Sequence, residues 1–81
     1  MYDGETVLMA ERVIVSPSSG VFVPADNGPD VAEGAVIGHV EGTGDRRVPV
    51  TSPFAGRVMR VVAWPGERVF THDRIAWMRA A

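Results

Sequence analysis

The sequence predicts an all-β domain, a sandwich or barrel built from two similar halves. Three observations carry this. Short Val-rich runs are interrupted at close intervals by nine Gly and six Pro, the punctuation of strands and tight turns. No stretch shows an apolar stripe at i, i+3, i+4, i+7, so no amphipathic helix is expected. One turn grammar also occurs twice. Ser16-Pro17-Ser18-Ser19-Gly20 returns as Ser52-Pro53-Phe54-Ala55-Gly56, 36 positions on. Gly28-Pro29-Asp30-Val31 returns as Gly66-Glu67-Arg68-Val69, and Ile37-Gly38-His39-Val40 as Ile75-Ala76-Trp77-Met78, both 38 positions on. The two additional residues fall between Arg57 and Pro65. Two copies are too few for a solenoid. Two halves related by a pseudo-two-fold axis and sharing one core fit the pattern.

Taken in order, residues 1–5 read as a loose terminus. Residues 6–15 are rich in β-branched side chains but alternate only in part, so they form one bent strand or two short ones. Pro17 and Gly20 make residues 16–20 a turn. Val21-Phe22-Val23 is a strand, residues 24–29 a loop, and Asp30-Val31-Ala32-Glu33-Gly34 a tight reversal. A second strand rises through Ala35-Val36-Ile37-Gly38-His39-Val40. The Gly-rich segment Glu41-Gly42-Thr43-Gly44-Asp45-Arg46 is the tip of a β-hairpin whose return strand is Arg47-Val48-Pro49-Val50-Thr51. Pro49 lacks a ladder donor, which favours either a sheet edge or a position whose N–H side points outward from the ladder. The second half then repeats the first.

Eighty-one residues make a single domain, with its core over about residues 13–78. A chain of this size buries only about 60% of its unfolded surface. There is no Cys, which removes disulfides and thiolate metal sites. A net charge of −2 and the lack of an apolar run long enough to span a bilayer point to a soluble, cytoplasmic chain with neither nucleic acid nor membrane as partner. All eight basic residues are Arg, so no side chain is a primary amine. Schiff-base chemistry and lysine acylation are thereby removed.

The ordered pair of Ser-Pro-x-x-Gly turns with Gly-x-x-Val partners resembles the biotinyl/lipoyl carrier domain family. The better-matched half is Val50-Thr51-Ser52-Pro53-Phe54-Ala55-Gly56-Arg57-Val58, followed by Pro65-Gly66-Glu67-Arg68-Val69. The resemblance spans residues 13–78 and implies a flattened β-barrel, the barrel-sandwich hybrid. In that family a Lys at the tip of the central hairpin is acylated by biotin or lipoate. Counting back from Pro53 puts Gly44 or Asp45 at the acceptor position, and Arg46 and Arg47 follow. A guanidinium presents no neutral amine for acylation. The resemblance therefore implies a carrier-type fold without its prosthetic group: no cofactor, no metal and no catalytic residue.

The remaining polar residues support no chemistry of their own. His39 reads as a strand residue and His72 as a solvated turn residue, and with Asp73 they give no zinc spacing. Ser16, Ser18, Ser19 and Ser52 lie in turns without a His or Asp motif. Gly42-x-Gly44 lacks the helix and Lys of a phosphate loop. Alternation puts Arg46 and Arg47 on opposite strand faces, and Arg57 and Arg60 likewise, which argues against one basic patch. Of the aromatics, most are expected in the core. Trp64 reads as exposed in a turn, and Phe54 as lying near the hairpin base. The expected function is protein recognition by Thr43, Gly44, Asp45, Arg46 and Arg47 with Phe54 or Trp64. The partner would be a carboxylase or another multienzyme subunit, or a second copy of the chain. The alternatives are an adaptor β-domain of a membrane or respiratory assembly and a small-ligand-binding or self-associating domain.

Overall fold

A computed structural model of the chain describes residues 11–26 and 28–80. Among these residues eight strands are present: β1 (Glu11–Val15), β2 (Gly20–Pro24), β3 (Asp30–Val31), β4 (Val36–Glu41), β5 (Arg47–Thr51), β6 (Gly56–Val61), β7 (Arg68–Val69) and β8 (Arg74–Ala80). The predicted strand over residues 6–15 is seen as β1, and its first part lies outside the described residues. All pairings are antiparallel. They form two sheets, one in the order β1-β8-β6-β3 and the other in the order β5-β4-β2-β7.

The predicted duplication governs this topology. Moving each first-half strand onto its second-half counterpart sends β1 to β5, β2 to β6, β3 to β7 and β4 to β8, and so exchanges the two sheets. Each sheet takes two strands from each half. Turn hydrogen bonds correspond as well. The Gly34 amide donates to the Ser52 carbonyl (2.7 Å), and its counterpart, the His72 amide, to the Ser16 carbonyl (2.8 Å). Ser16 Oγ donates to the Ser18 carbonyl (2.6 Å) and Ser52 Oγ to the Phe54 carbonyl (2.5 Å), which satisfies two fully buried hydroxyls. A Cβ on Gly20 would lie 2.3 Å from the Glu41 carbonyl oxygen, and one on Gly56 2.3 Å from the Arg79 carbonyl oxygen, so both strands start where only Gly fits. The register slips at Ile37 between β4 and β5 and at its counterpart Ile75 between β8 and β1.

The two additional residues break the symmetry. Met59 is a bulge in β6, between Val58, which opposes Met78, and Arg60, which opposes Trp77. Ala63 is the other: its amide shares the Ile75 carbonyl with that of Val62.

The core between the sheets comprises Ile14, Phe22, Val31, Val40, Val50, Ala63, Val69, Ile75, Ala76 and Met78. It corrects the expectation of an aromatic core, because among the described residues Phe22 is its one aromatic member. Trp64 is 75% exposed, Phe70 58% and Trp77 39%. Stacked sheets lie about 10 Å apart, a gap filled here by aliphatic side chains. Phe22 enters because Gly38 faces it across the strand pair without a side chain. As predicted, β5 is an edge strand and carries Pro49 exposed.

Candidate functional site

The central hairpin is built as expected. Glu41 opposes Arg47 at the end of the β4–β5 ladder. The five residues beyond it turn through a Gly42 amide bond to the Arg46 carbonyl (2.9 Å) and an Arg46 amide bond to the Thr43 carbonyl (3.3 Å). Gly44 adopts φ +65° with open space around it, and Thr43, Gly44, Asp45 and Arg46 are exposed. The tip therefore projects beyond the sheet and presents a carboxylate next to two guanidinium groups.

Arg47 and Arg46 have different surroundings. Arg47 Nε lies 3.8 Å from Glu41 Oε2 and its Nη2 3.4 Å from His39 Nδ1, all on exposed groups. Such surface pairs contribute little. Arg46 turns instead toward a hollow of about 350 Å³ lined also by Ser19, Val21, Glu41, Thr43, Arg68 and Phe70. Neither Arg46 nor Arg68 has an ion-pair partner among the described residues.

The far wall of this hollow is held firmly. The Asp73 amide donates to the Phe70 carbonyl (2.9 Å), and Asp73 Oδ2 accepts the Phe70 amide (2.8 Å). Ser19 Oγ accepts the Thr71 amide (3.1 Å). Two turns from different halves are thereby tied together, and the Phe70 ring is presented beside the tip. Sequence reasoning missed Arg68 and Phe70. The duplication held a signal for them: Phe70 corresponds to exposed Ala32 and Arg68 to exposed Asp30. Neither an aromatic nor a cation is required by the fold there.

Phe54 and Trp64 do not join this site. The turn holding Phe54 follows Thr51, the end of β5 remote from the tip, about 13 Å along the strand from Arg47. That end is the hairpin base, as expected, and it removes Phe54 from the tip contact expected of it; Phe54 is half-buried and packs against the core. Trp64 is exposed as expected, but it borders a separate apolar hollow with Pro24, Val61, Ala63 and Pro65. That hollow sits at the end of β2 away from the tip. The tip, Arg68 and Phe70 thus offer cations, a carboxylate and one ring to a partner. Among the described residues no group of three His, Asp or Glu side chains could hold a metal.

The two other Arg sites also need correction. Arg57 opposes Arg79, and Arg60 opposes Trp77 two residues along the same face of β8. The bulge at Met59 resets the alternation, so Arg57 and Arg60 share the outer face instead of lying on opposite ones.

No protein-family model matches the chain, and no curated protein does. Solved structures do. A single-chain, multi-domain long-chain acyl-CoA carboxylase is similar over 89% of this chain, with a TM-score of 0.79 and 26% identity. The fold is that of a flattened biotinyl-type β-domain. The urea carboxylase of Kluyveromyces lactis is similar over 84% of the chain, with a TM-score of 0.74 and 20% identity. An aspartoacylase family protein of Mesorhizobium loti is similar over 84%, with a TM-score of 0.69 and 20% identity. The chain spans 7% and 6% of the two carboxylases and 25% of the aspartoacylase family protein. The likeness to carboxylase segments accords with the carrier-domain resemblance read from the turns.

Proposed function

We propose that this chain is a non-enzymatic, carrier-type β-domain that accepts neither biotin nor lipoate and works by recognising a protein. One observation carries the reading. The hairpin that would present an acceptor lysine is intact and projecting, yet its apex is Gly44-Asp45 and none of the 81 residues is Lys. With covalent transfer removed, the tip retains only non-covalent chemistry. Thr43, Gly44, Asp45, Arg46 and Arg47 with Arg68 and Phe70 form the contact surface. The likeness to segments of multi-domain carboxylases favours a carboxylase or another multienzyme subunit as partner.

The test has two arms. Co-expression with a biotin or a lipoate ligase, followed by intact-mass spectrometry, is expected to return the unmodified chain. A side-chain biotinyl or lipoyl adduct overturns the loss of carrier function. Replacing Thr43, Asp45, Arg46 and Arg47 together by Ala is expected to release the partner recovered with the wild-type chain from its own host. Retention of every partner by that variant removes the tip from the contact.

A second reading has one specific support. The fold makes up a quarter of the aspartoacylase family protein, so the chain could serve as an accessory β-domain in a larger assembly. Recovery of a membrane or respiratory assembly would select it.

A further inference from the structure

The outer faces of the two sheets carry inverted charge along one row. On the sheet β1-β8-β6-β3, the cross-strand row reads Glu11, Arg79, Arg57, Asp30. Its pseudo-two-fold counterpart on the other sheet reads Arg47, Glu41, Val21, Arg68. The signs are minus, plus, plus, minus on the first and plus, minus, neutral, plus on the second. Two of these charges are used within each sheet: Glu11 Oε2 lies 2.9 Å from Arg79 Nη2, and Glu41 Oε2 lies 3.8 Å from Arg47 Nε. That leaves Arg57, Asp30 and Arg68 without an ion-pair partner among the described residues; Arg57 directly opposes the like-charged Arg79 on one side and Asp30 on the other. Like charges directly opposed on a sheet are unfavourable. The counterpart of Arg57 is Val21, so the fold does not require a cation there.

We propose that the outer face of the β1-β8-β6-β3 sheet docks on the outer face of the β5-β4-β2-β7 sheet of a second copy. In this docking the rows are aligned with the second copy turned about its strand direction, which reverses the strand order. Glu11 then meets Arg68, Arg57 meets Glu41, Asp30 meets Arg47, and Arg79 meets the neutral Val21. All three charged couples are of opposite sign. The next row places Trp77, 39% exposed, over Val23, so the apolar body of the indole meets an aliphatic side chain. The two self-pairings fail by the same count. The first face on itself sets Glu11 against Asp30 and Arg79 against Arg57, and the second sets Arg47 against Arg68. Uniform polyanions fit poorly as well, because carboxylates end the row on both sides. Two different faces meet, so the contact is head-to-tail and propagates unless a rotation closes it.

Size sets the expected strength. Four strands at about 4.8 Å and about five residues at 3.3 Å give roughly 300 Å² per face. Stable interfaces bury about 800 Å² per partner. The association is therefore weak and reversible.

The test is sedimentation and light scattering of the chain up to millimolar concentration. The expected result is an average mass that rises with concentration at low salt and returns to the 8.7 kDa monomer at about 1 M salt, where screening acts within about 3 Å. Arg57→Glu and Glu41→Arg should each remain monomeric at concentrations where the wild type associates. An equimolar mixture of the two should associate again, because the carboxylate introduced at position 57 of one copy then meets the guanidinium introduced at position 41 of the other. A wild type that stays monomeric, an association that survives 1 M salt, or a mixture that stays monomeric overturns the proposal. If far-UV circular dichroism finds either variant unfolded, Asp30→Arg and Arg47→Asp repeat the exchange at the end of the row.

Discussion

Phe22 and Gly38 form a packing pair that the second half solves differently. A Cβ on Gly38 would sit 2.6 Å from the Phe22 ring, so the glycine makes room for the largest buried side chain. The counterparts are Val58 and Ala76: the smaller partner across the strand allows a methyl group where the first half needs a hydrogen. A hollow of about 250 Å³ borders Phe22 as well as Val58 and Ala76. Gly38→Ala alone overpacks the site and is expected to cost about 1–3 kcal/mol. Phe22→Val alone leaves a cavity and is expected to cost about 2–4 kcal/mol. The double variant reproduces the pair of the other half, so its cost should fall short of the sum by about 1–3 kcal/mol. A urea-denaturation double-mutant cycle checks this, and strict additivity would mean that the two residues do not compete for the same space.

At the scale of one strand, β6 shows what an additional residue does. Met59 interrupts the ladder, and after it Arg60 faces outward beside Trp77. The corresponding part of β2 runs without a bulge, from Phe22 opposite Val40 to Pro24 opposite Gly38. Deleting Met59 should therefore give β6 the regular register of β2 and change stability by no more than about 1 kcal/mol, the size of an ordinary surface change. Retention of a dispersed amide spectrum with a nearly unchanged denaturation midpoint is the expected reading. A loss above about 3 kcal/mol would mean that the bulge itself holds the sheet. The same feature shows where sequence reasoning stops. The duplicated turns locate matching reversals in the two halves, because Ser-Pro-x-x-Gly and Gly-x-x-Val have steric requirements that a single chain displays, and the Gly-rich segment between them marks the central hairpin. They also bound the additional residues between Arg57 and Pro65. The position of a bulge within that window depends on ladder pairing across to β8, which no local pattern carries, so strand alternation alone misreads the faces of Arg57 and Arg60. Phe54 is wrongly grouped with the tip for a related reason. Its turn is near the hairpin in sequence, but β5 carries the chain away from the tip before the turn begins.

At the scale of the molecule, the two halves cannot be separated. Of the six strand pairings among the described residues, only β2–β4 lies within the first half and only β6–β8 within the second. The pairings β1–β8, β3–β6, β2–β7 and β4–β5 all join one half to the other. A cut between Gly44 and Asp45 would leave each fragment with a single two-stranded ladder, which is marginal in water. The exposed inner faces of Val40 and Phe22, or of Ile75 and Met78, would have nothing to pack against. Each fragment alone is expected to give the far-UV circular dichroism and collapsed amide dispersion of an unfolded chain. Mixed in equal amounts they should recover the dispersed spectrum, since the Gly44–Asp45 bond lies in an exposed tip that makes no core contact. The intact chain should unfold in one transition, with equal calorimetric and van't Hoff enthalpies. A fragment that folds by itself would contradict the shared core. Recovery on mixing would place the tip outside the folding requirement and leave its residues free to serve recognition.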